Sequence, residues 1–206
     1  MTGELASMEA FAAKLLHDVA GSVGSVVSYI ECFLDDPESD DIRVCLEEAA
    51  VEMISRFRLI RQAYSASEDN SCFDTTREHI EKYLKKRGIP SFSLCIEGQF
   101  YDAKLVEQVN RLLVQAALFS AMAMVRGKGM FVSISKTESM VAIRLVLDAE
   151  EISVHKDVES VLGNANACAL TTHNVQAYFM TLLCKEYGAT LRYDPENALV
   201  EVVLAL

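Results

Sequence analysis

Of the four histidines in this 206-residue chain, His17 has the most telling neighbours. It lies in Lys14-Leu15-Leu16-His17-Asp18-Val19-Ala20-Gly21-Ser22-Val23-Gly24, inside one long helical pattern. Apolar or small residues recur there at spacings of three and four: Leu5, Met8, Ala12, Leu15, Val19, Ser22, Val26, Tyr29 and Phe33. Leu16, Val23 and Ile30 widen that stripe into the broad apolar face of a bundle helix. On this register His17 falls on the outer face, among Ala13, Ala20, Gly21 and Gly24. Imidazole is a nucleophile and a proton carrier near neutral pH. Asp18 is placed either to orient the ring or take its proton, or to serve as a docking charge, since adjacent helical residues diverge by about 100°. Two glycines inside a helix cost about 1 kcal/mol each relative to alanine. Close approach of a partner to His17 would offset that cost, and so would plain helix packing.

The other candidates are weaker. His79, His155 and His173 lack partners at catalytic spacing and read as surface or core residues. No Gly-x-Ser-x-Gly elbow and no phosphate-cradling glycine loop occurs. Six cysteines (Cys32, Cys45, Cys72, Cys95, Cys168, Cys184) share no Cys-x-x-Cys spacing and read as reduced, mostly buried small residues. No Cys or His pair has a usual zinc spacing, so no metal and no bound cofactor is expected.

The elements that must position His17 follow from the pattern. The first helix runs from about residue 4 to 34. Asp35-Asp36-Pro37-Glu38 reads as a turn and a new start, with Asp36 as N-cap, Pro37 at the first helical position and acids in the first turn. The second helix carries Ile42, Leu46, Ala49, Met53, Phe57, Ile60 and Tyr64. Two long amphipathic helices with a short connection pack as an antiparallel hairpin. A hairpin covers only part of each stripe, so a homodimer with a four-helix bundle is expected. Residues 1–64 hold 12 acidic and 5 basic residues, most of the chain's net charge of −11. With the turn near residue 36, position 17 lies level with about position 55 on the return helix. One of Arg56, Arg58 and Arg61 is therefore a candidate to approach His17, and all three also suit the C-terminal end of a helix.

Composition bounds the class. With 51% hydrophobic and 24% charged residues the chain can bury a real core. The acidic balance argues against nucleic acid and anionic membranes as partners. No apolar run approaches the roughly 20 residues of a membrane span, and Met1–Met8 lacks signal-peptide character. A cytoplasmic protein is expected.

Residues 65–70 read as a polar linker, dividing a hairpin domain (1–66) from a second domain (71–206). In the latter, Thr75 or Thr76 caps a helix that runs to Arg87 and stops at Gly88. A strand follows at 91–96, then an apolar helix at 102–125, strands at 130–136 and 140–147, and a weak helix at 152–162. A helix at 172–187 and a hairpin of strands at 190–193 and 198–205 complete it. The fold class is α+β, with helices on one face of a mainly antiparallel sheet.

His17-Asp18 followed by Val23-Gly24 resembles the phosphoacceptor box of two-component histidine kinases, and most closely the ChpT-type histidine phosphotransferases of alphaproteobacteria. Those usually carry proline five residues after the histidine, where this chain has Ser22. The second domain's order of elements resembles the kinase ATP-binding (Bergerat) fold. Its nucleotide motifs are lost. Arg111 and Gln115 stand where the kinases need magnesium-ligating asparagines, and arginine cannot ligate a metal. Asp148-Ala149-Glu150-Glu151-Ile152 stands where they need Asp-x-Gly-x-Gly. Asn174-Val175-Gln176-Ala177-Tyr178 is similar to the Asn-x-Gln-Pro-Tyr segment of the ChpT-type family, without the proline.

The resemblance implies a dimeric histidine phosphotransferase that does not bind ATP. It relays phosphoryl groups through His17 between response-regulator receiver domains, one belonging to an upstream hybrid histidine kinase. Magnesium then belongs to the receiver. Asp18 is the second catalytic candidate. Leu16, Ala20, Gly21, Val23 and Gly24 are the partner-binding candidates. The alternative is a non-catalytic adaptor, a degenerate kinase that binds receivers or a kinase without transfer.

Overall fold

A computed structural model describes residues 3–163 and 169–206; Cys168 lies outside them. The chain begins with the expected pair of long helices, α1 (Gly3–Asp35) and α2 (Asp40–Tyr64). After them come α3 (Phe73–Lys86), β1 (Ser91–Glu97), α4 (Ala103–Ala123), β2 (Met124–Lys136) and β3 (Met140–Ile152). The remainder is α5 (Lys156–Gly163), α6 (Val175–Tyr187), β4 (Ala189–Asp194) and β5 (Leu199–Ala205). The strand order is β1-β2-β3-β5-β4, with β1 parallel to β2 and every other pair antiparallel. This is the expected α+β class. One sheet face carries the helices and the other meets solvent.

The helix-side rows of the sheet are Met130, Val132 and Ile134, then Val141, Ile143, Leu145 and Leu147, then Val200, Val202 and Leu204, all buried. The apolar side chains alternate along each strand because the pleat has period two. α4 lies across them and is buried almost all round, with Leu112, Leu113 and Phe119 fully enclosed. It starts at Asp102, whose carboxylate accepts from Lys104 N at 2.8 Å and Leu105 N at 3.4 Å. Gly88 and Gly188 end α3 and α6 in the left-handed region, at φ 76° and 69°, where a side chain is strained.

Several local expectations are corrected. Asp36 is not the cap of α2. Its N–H continues α1 by donating to Cys32 O, whereas Ser39 Oγ accepts from Ile42 N and Asp40-Asp41 fill the first turn. α3 starts at Phe73, before both threonines, and Thr76 is buried rather than capping. β2 and β3 reach well beyond their expected ends, because a register shift between Gly127 and Gly129 interrupts the alternation without ending the pairing. Phe57 is 56% exposed; Leu59, Gln62 and Ala63 form the buried face at that end of α2.

Residues 65–70 are not a loose linker. Glu68–Ser71 form a single 3-10 turn pinned by buried polar contacts. Gln62, fully buried, donates to Thr76 Oγ1 at 2.6 Å and to Asp69 O at 3.0 Å. Its carbonyl side meets His79 Nδ1 at 3.0 Å. Asn70 donates to Gln62 O, and Asn110 of α4 donates to Asn70 O at 2.8 Å. Leu59 and Ala63 belong to the same apolar core as α4 and the sheet. α1 is tied in separately: Phe11, Tyr64 and Phe179 pack ring to ring at centroid distances of 5.0–5.4 Å, joining α1, α2 and α6. The helix bearing His17 is thus held against the rest of the molecule from two sides.

Candidate functional site

His17 sits midway along α1 with its side chain 83% exposed. Asp18 is the opposite, at 19%, turned toward the hairpin seam. Asp18 Oδ1 takes Lys14 Nζ at 2.6 Å and lies 3.6 Å from His17 Nδ1. The adjacent pair does therefore come together, as an electrostatic contact too long to be a hydrogen bond. Lys14 is the residue the sequence reading missed. The signal was there: Lys14 and Asp18 are four apart, the spacing at which helical side chains meet.

The five candidate docking residues divide into two groups. Gly21 and Gly24 share the His17 face, and a Cβ added at either would meet nothing within 4 Å. Leu16 (71% exposed) and Val23 lie about 100° round the helix. They fall in line with Val27, Ile30 and Leu34, all large exposed apolar side chains. Ala20, also exposed, stands between the groups. On α2, Val44, Val51, Ile54 and Phe57 are exposed as well.

None of the three arginines pairs with the imidazole. Arg61 is bound to Asp69 at 2.5 Å. Burial would raise the Asp69 carboxyl, and the Arg61 and Ser67 contacts carry it below the usual carboxylate range. Arg58 lies near His79, whose pKa is lowered first by burial and then by the charges of Arg58 and Lys82. Arg56 lines a small cleft beside Asp18 with Lys14, Tyr64, Tyr83, Arg87 and Gln176. Burial, then the charge of Asp18, pushes the Tyr64 hydroxyl far above its ordinary range, so it stays protonated. A second groove of about 840 Å³ opens between α2 and α3; His79 lines it and His17 does not.

The residues read in the sequence as standing in place of the kinase nucleotide motifs make contacts within this fold. Gln115 is fully buried and donates to Ala63 O at 2.9 Å, tying α4 to α2. Arg111 donates to the Tyr187 hydroxyl at 3.0 Å. Asp148 lies within β3, exposed on the sheet face away from the helices. His155 and His173 stack at 5.8 Å, with His155 Nδ1 3.3 Å from Asp157 Oδ2. Among the described residues no group of three His, Cys, Asp or Glu side chains could hold a metal ion. Cys32, Cys72 and Cys95 are exposed free thiols and Cys45 is half-buried, so among the described cysteines only Cys184 has the buried position expected of most of them. No helix of the described residues is long and apolar enough to cross a membrane.

Comparison with known proteins adds the following. Residues 75–198 match the family described as histidine phosphotransferase C-terminal domain. A solved bacterial phosphotransferase is similar over 98% of this chain and 96% of its own, at 16% identity and a TM-score of 0.74. At that identity it shows a shared fold. The histidine kinase domain of the Erythrobacter litoralis EL346 blue-light activated histidine kinase aligns over 90% of this chain and 95% of its own, at 8% identity and a TM-score of 0.49. The mycobacterial sensor histidine kinase MprB aligns over 64% and 93%, at 11% identity and 0.43. No curated protein matches the sequence.

Proposed function

The chain belongs to the histidine phosphotransferase family, whose description covers residues 75–198, and we propose that within this phosphotransfer role it relays phosphoryl groups between receiver domains through His17. The observation that carries this reading is the imidazole itself: exposed at 83%, flanked by two glycines open to a partner, with a carboxylate 3.6 Å from Nδ1. That carboxylate favours the proton on Nδ1 and leaves the Nε2 lone pair facing outward. Nε2 attacks the phosphorus of an aspartyl phosphate. The bond from phosphorus to the carboxylate oxygen breaks, and that oxygen leaves with the electron pair. The reverse step passes the group to a second aspartate. Such a transfer asks the protein mainly for in-line positioning. Magnesium, on this reading, is supplied by the receiver. Lys14 holds Asp18 in place and keeps its charge balanced.

ATP has no part in the proposed reaction. Supporting this, Gln115 and Arg111 are committed to Ala63 O and Tyr187, and Asp148 points away from the helices. The division of labour falls at residues 1–66, bearing the phosphoacceptor, and 71–206, bracing it. A homodimer is part of the reading, supported by the row Leu16, Val23, Val27, Ile30 and Leu34, which the hairpin leaves uncovered. The adaptor reading shares every surface feature but forms no phosphohistidine. Incubation with a radiolabelled phospho-receiver decides between them. Acid-labile, base-stable label is expected on the wild type and none on His17→Gln. That substitution on an exposed side chain should change stability by no more than about 0.5 kcal/mol. Label retained by a folded His17→Gln protein places the acceptor elsewhere.

A further inference from the structure

Where α1, α2, α3, α4 and α6 meet beside Asp18, they enclose a cleft of about 60 Å³. Its walls include Lys14, Asp18, Arg56, Tyr83, Arg87 and Gln176. Three cations stand there against one carboxylate, in a chain whose net charge is −11. Lys14 is committed to Asp18. Arg87 rests 3.3 Å from the Tyr83 hydroxyl, and both Arg87 and Arg56 line the cleft with Tyr83. Among the described residues neither arginine has a carboxylate in ion-pair contact.

The α6 wall supplies an independent sign. Gln176 is only 6% exposed, and its Nε2 has no hydrogen-bond partner. A buried amide donor without an acceptor is costly to keep. Two guanidiniums and an unmatched amide around one cleft lack the same thing, an acceptor with negative charge. The volume admits a few waters or one small group. It is far below the several hundred Å³ of a nucleotide or drug-sized site.

We propose that this cleft is an oxyanion subsite that takes a single carboxylate or phosphate group, with the Gln176 amide and the guanidiniums of Arg56 and Arg87 as its donors. Guanidinium groups bind both oxyanions through paired N–H donors. Two sources can supply the group: free inorganic phosphate, or an Asp or Glu side chain of a protein docked at His17. Asp18 belongs both to the cleft wall and to the surroundings of His17. A group held here therefore sits beside the phosphoacceptor. That place in the reaction rests on the phosphotransfer reading; the subsite itself does not.

The test is an NMR titration of the full ¹⁵N-labelled chain with phosphate, with acetate as the carboxylate probe, and with chloride, all at constant ionic strength. The expected result is a saturable shift of the Gln176 side-chain amide with phosphate, acetate or both, and none with chloride. Response to phosphate alone assigns free phosphate; response to acetate assigns a carboxylate. His17→Gln should respond as the wild type does, so loss of phosphotransfer and loss of the subsite are separable. Arg56→Gln combined with Arg87→Gln should weaken binding by about tenfold or more. Gln176→Glu should fill the subsite with a tethered carboxylate, so the saturable shifts that the wild type shows at the backbone amides of Asp18, Arg56 and Arg87 should be abolished without a lower melting temperature. No saturable response in the wild type, an equal response to chloride, or binding undiminished in the arginine or Gln176→Glu variants would overturn the proposal.

Discussion

Gly21→Arg separates the cost of building the His17 surface from its use. Gly21 lies four residues beyond His17 on the same helix face, and a Cβ there meets nothing within 4 Å. The substitution therefore strains nothing in the free chain. Glycine is about 0.8–1.0 kcal/mol worse than alanine in a helix interior, and arginine is among the residues closest to alanine. The net gain should be about 0.7 kcal/mol. At about 2–4 °C per kcal/mol for a chain of this length, the melting temperature should rise by about 2 °C. The long side chain then stands where a receiver must approach, so docking and transfer should fall together. Arginine at 21 is also three residues from Asp18 and competes with Lys14 for it. Gly21→Gln, neutral and nearly as long, controls for that and should show the same opposition of sign. Receiver affinity, transfer rate and melting temperature are measured on one preparation of each variant. A more stable protein that still transfers at the wild-type rate would refute the reasoning, because the receiver would then approach from another face.

Three further outcomes are expected. Isothermal calorimetry with Mg-ATP should show no binding in the micromolar range, and incubation with labelled ATP alone should leave the chain unlabelled; either signal would favour a kinase. Burial lowers the His79 pKa below its unfolded value, so the unfolded chain takes up more protons as the pH falls through about 6.5. Stability should thus be complete above that pH and decline toward pH 5, and a melting curve equally steep in His79→Gln would remove His79 as the cause. Val27→Asp sets a charge in the exposed apolar row of α1, and sedimentation should then find a monomer; an unchanged dimer would mean that copies meet through another face.

What could be read from the sequence was what repeats along it. Spacings of three and four gave both hairpin helices, and alternation gave the sheet and its buried face. Where periodicity broke locally, the reading stopped early. Gly127 and Gly129 interrupt β2 at its bulge, so the strand looked shorter than its pairing makes it. The run Asp148–Glu151 reads as lying past the end of its strand although it is paired, because this last stretch of β3 has no buried residue to mark a core face. The cysteines show the reverse case. Cys95 alternates with Ser91, Ser93 and Glu97 on the open face of β1, a pattern of period two that outweighs the general tendency of cysteine to be buried.

The surroundings of the site were less legible, for a physical reason. His17 and its glycines belong to one helix, so helical geometry alone placed them. The groups that fix this helix come from distant parts of the chain. Asn110 reaches Asn70 O across 40 residues, Gln115 reaches Ala63 O across 52, and Phe179 packs on Phe11. No local rule joins such pairs, because each contact exists only once the core has formed around α4. Arg111 and Gln115 show what this hides. In the sequence they read as a nucleotide site lost. The structure has them in use, Gln115 bracing α2 and Arg111 bracing α6. α2 and α6 in turn carry Tyr64 and Phe179, the rings that clasp α1 through Phe11. The second half of the chain thus sets the pose in which the first half offers His17.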